Sequence, residues 1–494
     1  MFRPVLFAAL LGVVSSVHAQ LPEPVSRLLR AAAIPEQAIS VVVLRGDTTL
    51  LSHGAQQSMQ PASTMKMVTT AVGLEQLGPI FRGRTEFRTS ADVIDGVLKG
   101  DLILHGGADA DFNDDALNHM LQNLRKQGIR KIQGDLVLDR QLFQPARPDL
   151  GVPPFDETPE WRYNVIPDAL LLNTNMLTID LNSTDGKLTL AMMPELDNVS
   201  VTSDMKLINA SCATWEDGWR TPETVRGANG KLQVILHGTF PRNCIRSTSI
   251  NALDRQDYAD RLFRSNWKRL GGSFSGIVRE APPTGQPPVA TPVGSRLLAD
   301  HVARALPEVL RDINKNSDNT LARTLFLSLG SLESDGWLGS RPVALAAPED
   351  TVSRARQVVH DWFQRHHIDD QGLIIENGSG LSRTERISAG QMAALMQAAS
   401  IGPWAPEFLS SLPIVALDGT MRRRLIGTPA AARARIKTGT LKNVSAIAGY
   451  VPDANNQQCV VVAIINHDLV GNGNGRAVLD ALIEWVAASG VAQQ

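Results

Sequence analysis

Three cysteines in 494 residues, Cys212, Cys244 and Cys459, are too few to build a fold from disulfides. In an oxidising compartment Cys212 and Cys244 can pair, with a reduced pair as the equal alternative. Cys459 lies in the apolar run from Gln458 to Ile465, which reads as a buried strand with an inert thiol. Charge of one sign is equally scarce. The 48 basic and 50 acidic residues leave a net charge of -2, which gives no electrostatic reason to expect nucleic acid as a partner. No run approaches the roughly 20 apolar residues that span a bilayer, so no transmembrane anchor is expected, and at most a loose association with a membrane or wall. No His-Glu-x-x-His and no cysteine cluster occurs, so neither a metal nor another cofactor is expected. His366-His367 and His467-Asp468 read as surface groups beside a turn and a strand end. Gly471 to Gly475 has the glycines of a phosphate loop without its lysine and hydroxyl residue.

What is present begins with an early arginine, an apolar stretch from Pro4 to Val14 and small residues up to Ala19. This pattern predicts a cleaved secretory signal over 1–19 and a destination in the periplasm or cell envelope. The mature length suits two to four domains. Gln37 to Leu44 and Thr48 to His53 read as two strands around a turn. Apolar residues at helical spacing from Met65 to Leu77 predict a helix that Pro61 introduces and Gly78-Pro79 ends. From about Phe81 to Ile277 short strands and turns dominate. Gly100-Asp101-Leu102-Ile103-Leu104 and Gly134-Asp135-Leu136-Val137-Leu138 are near-copies flanking a helical stretch, Asp114 to Gln127, which suggests a strand-helix-strand unit. Gln144 to Tyr163 reads as a long loop and Asn251 to Leu270 as a helix. The five prolines between Ala281 and Pro292 mark a linker. Beyond it, helices are expected over Ser295 to Asp312, Asn319 to Leu329, Thr351 to His366 and Ser388 to Ala399. Strands over Ala434 to Tyr450 and Gln458 to Asn466 and a helix over Gly475 to Ala487 complete the chain. Strands at both ends imply one sheet built from the two termini, interrupted by an insertion.

Three short motifs carry chemistry: Ser63-Thr64-Met65-Lys66, Ser317-Asp318-Asn319 and Lys437-Thr438-Gly439. Each alone has a bland reading, as a helix start, a helix cap and a solvated strand. In order they describe a serine acyl-transfer site activated by lysine. A serine hydroxyl needs a base within about 3 Å, and three residues along a helix bring Lys66 beside Ser63. Burial and neighbouring cations lower a lysine pKa until the amine is free to act. Ser63 is therefore the expected nucleophile and Lys66 its base, with the Ser63 N–H facing an oxyanion. Ser317 is placed to relay a proton between Lys66 and the leaving amine. Asn319 is placed to orient Lys66 and hold a substrate carbonyl, while Asp318 holds the turn. On the third motif, Lys437 supplies positive charge near the substrate carboxylate and Thr440 a second oxyanion N–H. Gly439 clears space for substrate backbone, and the strand edge can pair with an extended peptide.

These motifs resemble those of penicillin-binding proteins and serine β-lactamases. Longer phrases narrow the resemblance: Gln60 to Lys66, Asn316 to Asn319, Asn377-Gly378-Ser379-Gly380-Leu381-Ser382-Arg383, and Asp418-Gly419-Thr420-Met421 through Arg424-Leu425. They are similar to peptidase family S13, the D-alanyl-D-alanine carboxypeptidase/endopeptidases of penicillin-binding protein 4 type. The resemblance implies an α+β fold, a transpeptidase-like domain of antiparallel sheet and helices over 20–82 and 281–494. Two small, mainly β domains would be inserted over 83–280. It implies hydrolysis of the terminal D-Ala-D-Ala bond of peptidoglycan stem peptides and of D-Ala to diaminopimelate cross-links, and covalent trapping by β-lactams. It carries the family's roles to Ser63, Lys66, Ser317, Asn319, Lys437 and Thr438, with Asp418 and Ser379 in support. Arg323 departs from the uncharged or acidic residue expected there. A β-lactamase and an inactive peptidoglycan-binding scaffold are the alternatives.

Overall fold

Two runs rich in β-branched residues, Ile39–Arg45 and Gln458–Asn466, are buried on both faces for most of their length, as the inner strands of a covered sheet must be. In the computed structural model, which describes residues 20–282, 294–343 and 350–490, they pair antiparallel at the centre of a five-stranded sheet. We number its strands β1 (Ile39–Arg45), β2 (Thr48–His53), β3 (Arg435–Leu441), β4 (Val444–Pro452) and β5 (Gln458–Asn466). Their order is β2-β1-β5-β4-β3, so the two termini build one sheet. Residues 434–450, expected as one strand, form the hairpin β3-β4. Leu441 pairs with Val444, leaving Lys442-Asn443 as a two-residue turn, which period-2 patterning alone cannot distinguish from continued strand.

Alternation divides the sheet between two cores. Val41, Val43, Val461 and Ala463 face one way, against Val25 and Leu29 of helix α1 (Glu23–Ala31) and residues of the C-terminal helix Asn474–Ala488. Val42, Val460, Val462 and Ile464 face the other, where helix α2 (Lys66–Leu77) and the helix Ala389–Ile401 pack. The all-apolar turn of α2 lies under Leu306–Lys315 and Asn319–Leu329, which we call α3 and α4.

The chain leaves this unit at Gly83 and returns at Ala303, whose N–H donates to the Gly83 carbonyl (3.0 Å). Residues 295–302 were expected to open a helix. Arg296–Val302 instead pairs antiparallel with Arg84–Thr89, burying Leu298 and Ala299 in the insertion's core. That partner lies more than 200 residues away and overrides local helical spacing. The near-copies behave as a strand-helix-strand unit: Leu102–Gly107 and Leu136–Asp139 pair in parallel across the helix Asp114–Lys126. Their aspartates do matching work, since Asp101 accepts from the Asp135 N–H (2.8 Å) and Asp135 from the Ile277 N–H (3.1 Å). The insertion also holds small antiparallel and mixed sheets over residues 177–250, fastened by a Cys212–Cys244 disulfide, and the helix Arg255–Arg269. Cys459 is a buried free thiol. The expected signal over 1–19 and the proline-rich part of the linker lie outside the described residues.

Candidate active site

Ser63 stands in a single 3₁₀ turn, Ala62–Met65, that runs into α2. Ala62 takes a positive φ of 48°, a costly conformation for a residue with a Cβ. The Asn377 to Arg383 loop crosses directly over it. A Cβ on Gly380 would lie 1.9 Å from the Ala62 carbonyl oxygen, so only glycine admits that crossing.

One turn on, the Lys66 side chain is fully buried. Its Nζ has three oxygen neighbours: Asn319 Oδ1 at 2.6 Å, the Ser379 carbonyl at 2.5 Å and Ser63 Oγ at 3.0 Å. The first two can only accept. The Asn319 amide is oriented by its own Nδ2, which donates to the Tyr163 carbonyl (3.1 Å), so Oδ1 faces the lysine. In the neutral amine the two N–H groups match these two acceptors and leave the lone pair for Ser63 Oγ; in the ammonium the third N–H donates to Ser63 Oγ. The ionisation agrees with this arrangement: burial, then the Lys437 charge, hold Lys66 well below the usual lysine value against the pull of Asp318 and Glu385.

Ser317 occupies the three-residue link between α3 and α4, again at positive φ (58°). Asp318 caps α4 through the Leu321 N–H (2.9 Å) and pairs with Arg162 of the insertion (2.9 Å). Ser317 Oγ takes its hydrogen bond from Lys437 Nζ at 2.9 Å, not from Lys66, so the site holds two lysine–serine pairs. Lys437 also donates to the Thr438 carbonyl (2.7 Å), and burial pulls its pKa down to about 7. The buried amine is thus held by two oxygens, Ser317 Oγ and the Thr438 carbonyl.

Gly439 is also used differently from expectation. Its absent Cβ points at the Ser63 turn, 2.7 Å from the Pro61 carbonyl oxygen and 3.1 Å from the N atoms of Ser63 and Thr64. The glycine therefore seats β3 against Ser63. β3 is an edge strand. Ile436 donates outward to the Pro413 carbonyl (2.9 Å), and backbone groups two residues apart point to the same side of a strand. The N–H groups of Thr438 and Thr440 therefore face the open edge beside Ser63. Thr438 Oγ1 lies 2.9 Å from Thr420 Oγ1.

The supporting residues act through the backbone. Ser379 turns its hydroxyl to Asn377 (2.6 Å) and offers Lys66 only its carbonyl. Asp418 pairs with Lys315 (2.5 Å) and accepts from the Ile414 N–H (2.7 Å). Burial raises its pKa, but these partners outweigh it and hold the carboxyl below its usual range. Arg323, the unexpected cation, is buried and donates to the Val165 carbonyl (3.2 Å). Burial lowers its pKa to about 10. Sequence reasoning missed Glu385, which is fully buried and whose carboxylate gathers the N–H groups of Glu376, Asn377 and Gly378 at 3.0–3.1 Å. Nothing about a glutamate flanked by Arg383 and Arg386 signals burial. It also missed the Tyr163 carbonyl, a backbone group with no sequence signal. His366 pairs with Glu75 (3.0 Å) and stacks on Trp362, away from the site.

Two clefts share Asn316, beside Ser317. One, of about 1130 Å³, lies between α4 and the insertion and is lined by Asn319, Tyr163, Asp109 and Asp111 among others. The other, of about 660 Å³, runs from Lys315 and Asn316 along Thr438 to Thr440.

A sheet flanked by helices, with Ser-x-x-Lys, Ser-x-Asn and Lys-Thr-Gly groups joined in one hydrogen-bonded cluster, defines a serine hydrolase of the penicillin-binding, carboxypeptidase type. The chain belongs to the D-Ala-D-Ala carboxypeptidase 3 (S13) family, whose model matches residues 22–489. It is 26% identical over 443 residues to D-alanyl-D-alanine carboxypeptidase DacB of Haemophilus influenzae, covering 88% of this chain and 86% of that one. It is 28% identical over 466 residues to D-alanyl-D-alanine carboxypeptidase of an Actinomadura species, covering 91% and 81% respectively. The crystal structure of penicillin binding protein 4 from Haemophilus influenzae superposes with a TM-score of 0.73 at 25% identity, over 93% of this chain and 97% of that one.

Proposed function

We propose that this chain hydrolyses the terminal D-Ala-D-Ala bond of peptidoglycan stem peptides, and the D-Ala to diaminopimelate bond of cross-links, through an ester on Ser63. The observation that carries this reading is the buried Lys66 amine, held by the Asn319 Oδ1 and Ser379 carbonyl acceptors with its Nζ 3.0 Å from Ser63 Oγ. Ser63 Oγ attacks the carbonyl carbon of the penultimate D-Ala and its proton passes to Lys66 Nζ. The resulting oxyanion lies between the N–H groups of Ser63 and Thr440. As the C–N bond breaks, Ser317 gives its proton to the leaving amine and regains one from Lys437; Lys66 then releases to solvent the proton it took from Ser63, and Lys437 takes one back from solvent, so both amines return to their starting states. Water then attacks the ester, Lys66 takes the water proton, and Ser63 Oγ leaves with a proton returned through the same amine. A β-lactam stops at the ester, because its leaving amine stays tethered.

The same reading includes export by residues 1–19 to the periplasm or envelope. The disulfide Cys212–Cys244 supports an oxidising destination. The insertion, expected over 83–280, is proposed to extend to Val302, since Arg296–Val302 shares a sheet with Arg84–Thr89. The test is D-alanine release from a pentapeptide by the unaltered chain and by Ser63→Ala, with mass spectrometry after a β-lactam is added. Release and an adduct on Ser63, both lost in the variant, are expected. Folded protein that forms no adduct and releases no D-alanine overturns the reading.

A further inference from the structure

A carboxylate with no exposed surface holds the loop that meets Lys66. Glu385 is fully buried, and its Oε1 receives three consecutive backbone N–H groups, those of Glu376 (3.1 Å), Asn377 (3.0 Å) and Gly378 (3.0 Å). Successive N–H groups turned to one point form a cradle for negative charge, filled here from within the chain. The second oxygen, Oε2, has no hydrogen-bond partner among the described residues. A neutral side chain could close the same turn, and a buried carboxylate with one bare oxygen is a costly way to do it. The cost points to a role beyond closing a loop.

That role is visible in what the cradled segment does next. Its N–H groups are tied to Glu385, while its carbonyls are tied to α2: the Gly378 carbonyl accepts from Thr69 Oγ1 (2.6 Å) and the Ser379 carbonyl from Lys66 Nζ (2.5 Å). Lys66 and Thr69, three residues apart, lie on one face of the helix. There is no slack between the two sides, since a Cβ on Gly378 would fall 2.7 Å from both Phe326 Cβ and Thr69 Oγ1. Electrostatically, Lys66 faces Lys437 from β3, Asp318 and Arg323 from the start and body of α4, and Glu385 from this loop. Glu385 and Arg323 act on the amine with opposite sign, and the Arg323 charge also acts on Glu385 itself. The carboxylate's charge is therefore opposed at the amine, whereas its reach is not.

We propose that Glu385 is a positioning residue for the base: the length of its side chain, and not its charge, sets where the Ser379 carbonyl stands and so how Lys66 Nζ is held beside Ser63 Oγ. This inference rests on the peptidase reading above. Glu385 touches no reacting atom and acts through the backbone of residues 376–379.

The experiment separates reach from charge. Glu385→Gln keeps the reach and the accepting Oε1 and removes the charge. Glu385→Asp keeps the charge and withdraws the carboxylate by one methylene, about 1.5 Å. Both are compared with the unaltered chain for the rate of acylation by a chromogenic β-lactam across the acid limb of the pH profile, with melting temperatures measured alongside. A misplacement of about 1 Å costs on the order of 100-fold in rate, so Glu385→Asp should acylate about 10- to 100-fold more slowly and Glu385→Gln within about three-fold of the unaltered chain. Loosening the loop also lets water reach Lys66, and burial is the first cause of its lowered pKa, so the acid limb should move to higher pH in Glu385→Asp. It should not do so in Glu385→Gln, where a charge that favours the ammonium has gone. A Glu385→Gln protein that melts normally yet acylates as slowly as Glu385→Asp makes charge the determinant and overturns the proposal. So does a folded Glu385→Asp whose rate and acid limb are unmoved, since a residue that only stabilises the loop would change the melting temperature alone. The glutamine result decides by itself where the shorter side chain prevents folding. An unaltered chain that takes no β-lactam on Ser63 overturns the underlying peptidase reading, and this assignment with it.

Discussion

Replacing Gly439 by alanine tests the structural basis of the site without touching any group that reacts. The new methyl would fall 2.7 Å from the Pro61 carbonyl oxygen and 3.1 Å from two backbone nitrogens. All three are backbone atoms, and none can swing away. Ordinary contact begins at 3.4 Å, so β3 and the Ser63 turn must part by roughly 0.3–0.7 Å. Overpacking of this kind costs about 1–3 kcal/mol of stability, which a core of this size absorbs. The effect on chemistry is larger in proportion. The same movement carries the Thr440 N–H away from Ser63, and a misplacement of about 1 Å costs on the order of 100-fold in rate. We expect acylation by a chromogenic β-lactam, followed by stopped flow, to slow by about 10- to 100-fold in Gly439→Ala. Gly336→Ala, where no atom lies within 4 Å of the new Cβ, serves as the control and should react normally. A Gly439→Ala protein that folds and acylates within about two-fold of the unaltered chain would refute the claim that this glycine sets the spacing between nucleophile and oxyanion donor.

Lys437 should leave a signature in stability against pH. Burial holds its folded pKa at about 7 against an ordinary 10.5, so between those values the unfolded chain binds the extra proton and stability rises with pH. Below about pH 7 the contribution is flat. Urea midpoints of the unaltered chain relative to Lys437→Met should therefore climb from pH 7 to 10; a constant difference would contradict the burial argument. The Cys212–Cys244 bridge closes a loop with a separation of 32 residues, for which chain entropy gives about 3–4 kcal/mol. Cys212→Ser/Cys244→Ser should speed hydrogen exchange over residues 177–250 and leave β-lactam acylation of Ser63 unchanged. Lost acylation with unchanged exchange would show that the bridge serves the site and not the insertion.

Local pattern was a good guide wherever one element decided its own fate. α2, α4 and the strand-helix-strand unit of the insertion follow from spacing, caps and repeated phrases, because their partners lie nearby in the chain or their apolar faces are unambiguous. It failed where a distant partner decided. Arg296–Val302 became a strand only because Arg84–Thr89 offered it an edge. The β3-β4 turn was hidden inside a continuous alternating run.

At the site, the residue types and their order pointed to the groups that the structure brings together, Lys66 with Ser63 and Asn319, and Lys437 with Ser317, because acyl transfer by serine and lysine needs those functional groups and few others supply them. Only the second lysine–serine pairing was decided by tertiary structure alone. Lys66 and Ser63 are one helical turn apart, so sequence fixes their meeting, whereas the pairing of Lys437 with Ser317 spans 120 residues and depends on how β3 docks. The lowered pKa values and the inward carboxylate of Glu385 have the same origin. Burial and electrostatic field belong to no residue by itself; they arise when the two ends of the chain close into one sheet over α2.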